Sequence, residues 1–201
     1  MDLSPSTKDI NTSFSPEEQA AISRAIKTRR TINVFTEEVP DREILLDAFE
    51  HARWAPNHKL TEPWQFVMLG PETQAKFLDG VERFITANKG PEKAEKKMAK
   101  LRKVPGWFIV TNQRTPDDPL REREDYAATS VALHNAILYL WGQGIASKWS
   151  TMGFSRTDEA YEILQLDKTK VDIVGVILYG YPDMYPRTKR QEASASVVEL
   201  P

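Results

Sequence analysis

The sequence predicts one domain of the α+β or α/β class, with a few central strands and helices on both sides of them. Three observations predict it. Six stretches repeat apolar residues at helical spacing, and four short apolar runs read as strands. No linker or internal repeat divides the 201 residues. The last strand, VDIVGVILYGY from Val171 to Tyr181, is nearly continuous in β-branched and large apolar residues, the pattern of a strand covered on both faces.

Residues 1–14 are polar and read as a mobile arm before a domain spanning 15–201. Ser15-Pro16-Glu17-Glu18 opens the first helix. Ser15 caps it, Pro16 takes the position where a missing N–H costs nothing, and Glu18 closes a capping box. Ala21, Ile22, Ala25 and Ile26 form its apolar face, and it runs into Thr28-Arg29-Arg30-Thr31. After a connector from Phe35 to Pro40, Asp41 caps a second helix built on Ile44, Leu45, Ala48, Phe49 and Ala52. Gln65 to Leu69 reads as a strand that ends at Gly70-Pro71.

Glu72 to about Asn88 reads as a helix on Phe77, Leu78, Val81, Phe84 and Ile85, broken by Gly90-Pro91. Residues 92–103 are dense in Lys and Glu, with Ala94, Met98 and Leu101 as the only stripe, which predicts a solvated amphipathic helix. Trp107 to Thr111 is the second strand. From Arg121 to Trp141, Tyr126, Ala127, Val131, Leu133, Ile137, Leu138 and Leu140 wrap most of a long helix, which predicts burial at the centre of the core. Gly142-Gln143-Gly144 ends it. Ile145 to Trp149 reads as a short strand, Ser150 to Gly153 as a loop, and Glu159 to Leu166 as the last helix. The tail beyond Pro182 carries Arg187, Lys189 and Arg190.

Composition removes whole classes of function. A net charge of −2 and a pI near 6.0 leave no whole-chain basic field for nucleic acid or a membrane surface. With no cysteine, disulfides, thiolate metal sites and cysteine nucleophiles are excluded. The N-terminus lacks the apolar core of a secretory signal, and no apolar run reaches the roughly 20 residues that span a bilayer, so a cytoplasmic location is expected. His51, His58 and His134 lie far apart, and no metal is expected. Neither a phosphate-binding glycine motif nor a G-x-S-x-G elbow is present, and no side chain stands out as a catalytic acid or nucleophile.

The densest stretch is Trp54 to Phe66, WAPNHKLTEPWQF, between the second helix and the first strand. Pro56 and Pro63 bar regular structure there, and Asn57, His58, Lys59, Thr61, Glu62 and Trp64 suit binding better than packing. Two further clusters stand apart from it: Arg29-Arg30-Thr31, and Trp149-Ser150-Thr151 together with the cations of the tail. Cations at a helix C-terminus also offset its dipole, by about 0.3–1 kcal/mol each, so Arg29 and Arg30 carry a purely structural reading as well. An exposed loop histidine held by backbone is the plain reading of His58, and a packing role the plain reading of Trp64 and Trp149.

In this order, on this plan of elements, the chain resembles the nitroreductase family of FMN-dependent oxidoreductases, in wording closest to its small, minimal branch. The resemblance runs from about Ala20 to Arg190. It rests on Arg29 to Phe35, Ala52 to Asn57, Pro63 to Phe66, Glu124 to Ala128 and Gly180 to Pro182. It implies an α+β, three-layer α/β/α sandwich with a mostly antiparallel sheet, assembled as a domain-swapped type of homodimer with FMN at each interface.

The resemblance also assigns roles. Arg29 and Thr31 meet the phosphate and ribityl end, Arg30 lies near the pyrimidine edge, Asn57 and His58 border the flavin or ribityl chain, and Asn33, Pro56 and Thr61 count among the cofactor-binding residues. Trp149, Ser150 and Thr151 face the ring, and Arg187 and Lys189 return to the phosphate. Guanidinium forks and hydroxyls suit a phosphate, and cations beside the pyrimidine edge favour the reduced ring. NADH or NADPH would donate hydride, and a nitroaromatic, quinone or related acceptor would take it. The same fold also accommodates dehalogenation, flavin breakdown or flavin binding without turnover. Two departures stand out: larger members often carry a lysine where Asn33 or its neighbours lie, and many have Ser-Ser-Asn where this chain has Asn57-His58-Lys59.

Overall fold

Residues 12–201 are described by a computed structural model; most of the expected arm lies outside them. Helix α1 spans Pro16–Thr28 and α2 spans Arg42–Ala52. Strand β1 is Trp64–Met68, followed by α3 over Pro71–Lys89 and α4 over Pro91–Leu101. Then come β2, Gly106–Gln113, α5, Pro119–Gly142, β3, Ala146–Ser150, α6, Asp158–Leu164, and β4, Val171–Gly180. The capping box forms as read, with Glu18 N donating to Ser15 Oγ and Ser15 N donating to Glu18 Oε2. Asp41 likewise accepts from Glu43 N at the start of α2.

Four strands form one sheet in the order β1-β2-β4-β3, and every neighbouring pair is antiparallel. This settles the class as α+β. The strands alternate their side chains between two cores. Trp107, Ile109, Val176 and Leu178 meet Phe77 and Val81 of α3, Met98 and Leu101 of α4, and Leu164 of α6. Phe108, Val110, Ile177 and Tyr179 meet Leu45 and Ala48 of α2 and Leu133, Ala136 and Leu140 of α5. Helices on both faces of the sheet give the three-layer sandwich. Burying each of the large apolar side chains among these contributes about 1.5–3 kcal/mol of hydrophobic stabilisation.

The chain after α1 joins the free edge of the sheet. Thr31 bridges Ser147 of β3 in parallel, with Ile32 N donating to Ser147 O at 3.2 Å, and Phe35 bridges Pro182. Ile32 is fully buried in the core under α3 and α4, which anchors this segment.

Two expectations need correction. The long helix α5 buries Ala128, Ala132, Leu133, Ala136 and Leu140, but Tyr126 is 49% exposed and Val131 37%. Its buried stripe is narrower than its apolar residues imply: one side of α5 meets α2 and the sheet, while the side that carries Tyr126 and Val131 stays exposed among the described residues. The second departure concerns α1, which buries no residue and leaves Ile22 46% and Ile26 57% exposed.

Candidate functional site

The loop before β1 is strained and tightly tied. Lys59, Leu60 and Glu62 all have positive φ, at 61°, 49° and 44°, a conformation that costs a non-glycine residue about 1 kcal/mol or more. The ties come from the residues singled out above. Asn57 Oδ1 accepts from Glu62 N at 2.7 Å, and Asn57 Nδ2 donates to Thr61 Oγ1 at 3.0 Å. Thr61 Oγ1 donates to Asp125 Oδ1 at 2.5 Å, and His58 Nδ1 lies 2.9 Å from Glu124 Oε2. Asp125 is 3% exposed and also accepts from Arg121 Nε. Thus α5 holds the loop by two neighbouring carboxylates. Pro56 and His58 are left on the surface, and Trp54 lies open with the Arg53 guanidinium 5.3 Å from its ring centroid.

At the end of α1 the two arginines part company. Arg30 Nη1 donates to Lys27 O and Arg29 O, so its guanidinium closes the C-terminus of the helix, as the dipole argument expects. Arg29 has no carboxylate partner among the described residues. Burial, then the neighbouring Arg190 and Arg30, push its guanidinium below the ordinary value. Burial and Arg29 likewise lower His134 on the exposed side of α5. Thr31 and Thr151 are exposed, and Ser150 is half-buried at the end of β3. Arg187 and Lys189 are exposed on the tail; the tail cation that meets Arg29 is Arg190.

Trp149 turns its ring inward. Its Nε1 donates to Val174 O at 3.1 Å, at the point where the β2–β4 register slips by one residue. Gly175 makes room for the indole: a Cβ there would lie 2.3 Å from Trp149 Nε1. The side chain therefore serves the sheet.

Asn33, four residues beyond Arg29, meets a residue that sequence reasoning passed over. Lys148 Nζ donates to Asn33 Oδ1 at 2.6 Å. Burial, then Lys97 and Lys100, lower the Lys148 ammonium below its ordinary value. These side chains, with Lys93 and Lys96, line a cavity of about 570 Å³ that has no carboxylate in its wall. A second cavity, of about 590 Å³, shares Asn33, Lys96, Lys100 and Val104 with the first. The helix over 91–101 is amphipathic as read, with Ala94, Met98 and Leu101 buried, but its lysines face a cleft as well as solvent. The spacing Lys93, Lys96, Lys97, Lys100 marks one helical face and was the available signal.

The structure therefore brings Arg29, Thr31, Asn33, Lys148 and Arg190 to one edge of the sheet, and leaves Asn57, His58 and Thr61 elsewhere. The loop is anchored at Asp125, near the start of α5, whereas Trp141 Nε1 donates to Thr28 Oγ1 at the end of α1. The sixteen residue steps from Asp125 to Trp141 span roughly 24 Å of helix.

The model of the Nitroreductase family matches residues 26–181. The chain belongs to that family. A Bacillus subtilis (strain 168) protein provisionally named NAD(P)H nitroreductase YfhC is 29% identical over 192 residues, 93% of this chain and 94% of that protein. A nitroreductase-like family protein from Bacillus cereus matches in structure with a TM-score of 0.80 and 27% identity, over 95% of this chain and 98% of that one. Iodotyrosine deiodinase, solved with FMN and 3-iodo-L-tyrosine, has a TM-score of 0.71 at 20% identity, over 90% of this chain and 98% of its own, a likeness of fold alone. This nitroreductase-family chain thus shares its fold with a deiodinase as well. Among its described residues no helix is long and apolar enough to cross a membrane.

Proposed function

We propose that this chain is an FMN-dependent oxidoreductase that draws hydride from NADH or NADPH and passes reducing equivalents to a small-molecule acceptor such as a nitroaromatic or quinone. The observation that carries the reading is Arg29: half-buried, crowded by Arg190 and Arg30, and without a counter-ion among the described residues. A phosphate dianion is the partner such a cluster fits. A second cation, Lys148, stands beyond Asn33. An extended segment from Arg29 to Asn33 spans roughly 13 Å, so one elongated ligand, anionic at one end and with carbonyl acceptors at the other, suits both groups. FMN has that shape.

When bound, FMN supplies the hydride chemistry. This chain's residues then do the rest. Arg29, Arg190 and the Thr31 hydroxyl hold the phosphate and ribityl end, with Arg187 and Lys189 within reach on the same tail. Asn33 and Lys148 donate to the ring's polar edge, and the end of β3 from Ser150 to Thr151 offers its backbone. Charge held at that edge by cations favours the reduced ring. Arg30 positions Arg29 by closing α1. For a nitro acceptor the overall change balances as ArNO2 + NAD(P)H + H⁺ giving ArNO + NAD(P)⁺ + H2O.

Pro56, Asn57, His58 and Thr61 join this site only from a second copy, since α5 keeps them far from Arg29 in their own chain. The bare apolar face of α1 and the exposed Tyr126 and Val131 of α5 support a homodimer. Anaerobic titration of the purified protein tests the function. The expected result is a yellow protein bleached by NADH or NADPH and recoloured by a nitroaromatic or quinone. A colourless protein that binds no added FMN ends the proposal. Sedimentation at micromolar concentration tests the pairing, with a dimer expected.

A further inference from the structure

We propose that an apolar cavity beside Gly153 and the lysine cavity next to it form one subsite for a single-ring aromatic acid, and that the acceptor of this enzyme belongs to that class. The acceptor half rests on the oxidoreductase reading above; the binding half does not.

The apolar cavity measures about 180 Å³ and lies between α3, α4 and the turn that begins at Gly153. Phe84 and Ile85 of α3, Leu101 of α4, Met152 and Phe154 form most of its walls, and Lys89 and Lys97 line it too. A dry cavity of about 150 Å³ is enough to hold benzene, so one substituted ring fits and a fused bicycle does not. Close packing sets its shape. A Cβ on Gly153 would come 2.9 Å from the Phe84 ring, and one on Gly80 would come 2.2 Å from the Phe154 ring. Phe84 and Phe154 meet with centroids 6.2 Å apart in a tilted pair, which leaves ring edges for a third aromatic.

Lys97 and Leu101 line this cavity and the 570 Å³ lysine cavity alike, so the two meet at Lys97. On the lysine side only Lys96 has an ion-pair partner among the described residues, Glu92 at 3.0 Å. Lys93, Lys97, Lys100 and Lys148 stand without one, and the direction in which Lys97 and Lys100 push Lys148 shows that their charges repel. A ligand with its ring in the apolar cavity and its acid group on Lys97 gains from two separate sources: apolar surface leaves water, and an anion relieves the crowded cations. A neutral ring has only the first gain, and a short aliphatic acid only the second.

Equilibrium dialysis of the purified, flavin-loaded protein against 4-nitrobenzoate and the neutral, size-matched 4-nitrobenzamide tests the subsite. The acid is expected to bind about tenfold more tightly at low salt, with the gap closing as salt rises. Lys97→Gln should cut acid affinity by about tenfold while amide affinity stays within about twofold. Ile85→Trp, which fills the apolar cavity, should weaken both ligands, with circular dichroism confirming that the variant is folded. Equal affinity for acid and amide overturns the subsite, as does a Lys97→Gln loss that is the same for both or an Ile85→Trp variant that binds both normally. Acid-selective binding by a protein that neither nicotinamide bleaches would keep the subsite and remove its assignment to the acceptor.

Discussion

Lys148 Nζ donates to Asn33 Oδ1 at 2.6 Å, joining residues 115 positions apart in the chain. The bond ties β3 to the segment after α1 and sets an ammonium group beside Asn33, a position that carries no cation of its own. Lys148→Met is expected to leave the chain without added ligand as stable or slightly more so, since it removes a charge that burial, Lys97 and Lys100 all oppose. It should weaken FMN retention by about tenfold. Thermal melts without flavin and a flavin titration measure the two effects.

Arg29→Ala separates the two readings of the α1 terminus. The Arg29 backbone N–H still donates to Ala25 O, and Arg30 still caps with its side chain, so α1 keeps its end. The melting temperature without flavin should hold or rise, while flavin affinity falls by more than about tenfold. An equal loss of both would make Arg29 a helix cap.

Gly175→Ala is expected to destabilise the fold by about 1–3 kcal/mol, because overpacking against the Trp149 indole leaves no low-energy rotamer. Trp149→Phe removes the donor to Val174 O and should cost about 1 kcal/mol. Urea unfolding midpoints at constant slope give both values.

Thr61→Val takes a hydroxyl from a carboxylate that is 3% exposed and leaves Asp125 with Arg121. A loss of about 1–3 kcal/mol is expected. Limited proteolysis should begin at Lys59, since the left-handed residues there lose their tether.

Stability should also respond to His134. Burial and Arg29 hold its folded pKa below the ordinary 6.5, so the unfolded chain binds the extra proton more readily. Its contribution is therefore full above about pH 6.5 and is lost as pH falls through the lower folded value. His134→Gln should flatten the decline in melting temperature between about pH 6.5 and 5 relative to the parent. Bound flavin phosphate near Arg29 should shrink the same decline.

Local signals were legible from sequence alone: the Ser15–Glu18 capping box, the Asp41 cap, the breaks at Gly90 and Gly142, and the stripe of Ala94, Met98 and Leu101. Each depends on contacts within a few residues, which spacing encodes directly. The Arg29–Arg30 pair was legible as a pair, but its division of labour was not, since only the packed chain shows which guanidinium finds helix carbonyls and which meets Arg190. Lys148 and the lysine face of α4 were missed because a cavity wall is shared between elements, and neither element signals the other.

The sequence by itself determined the element order, the apolar faces, the exclusion of cysteine and glycine-loop chemistry, and the five motif stretches that resemble one family. The tertiary structure decided which strands pair, that Trp149 packs on Gly175, and that Asn57, His58 and Thr61 are bound to α5 instead of joining Arg29. The reason is physical: periodicity fixes which face of an element is buried, whereas the meeting of distant polar groups depends on the angle and register at which whole elements dock.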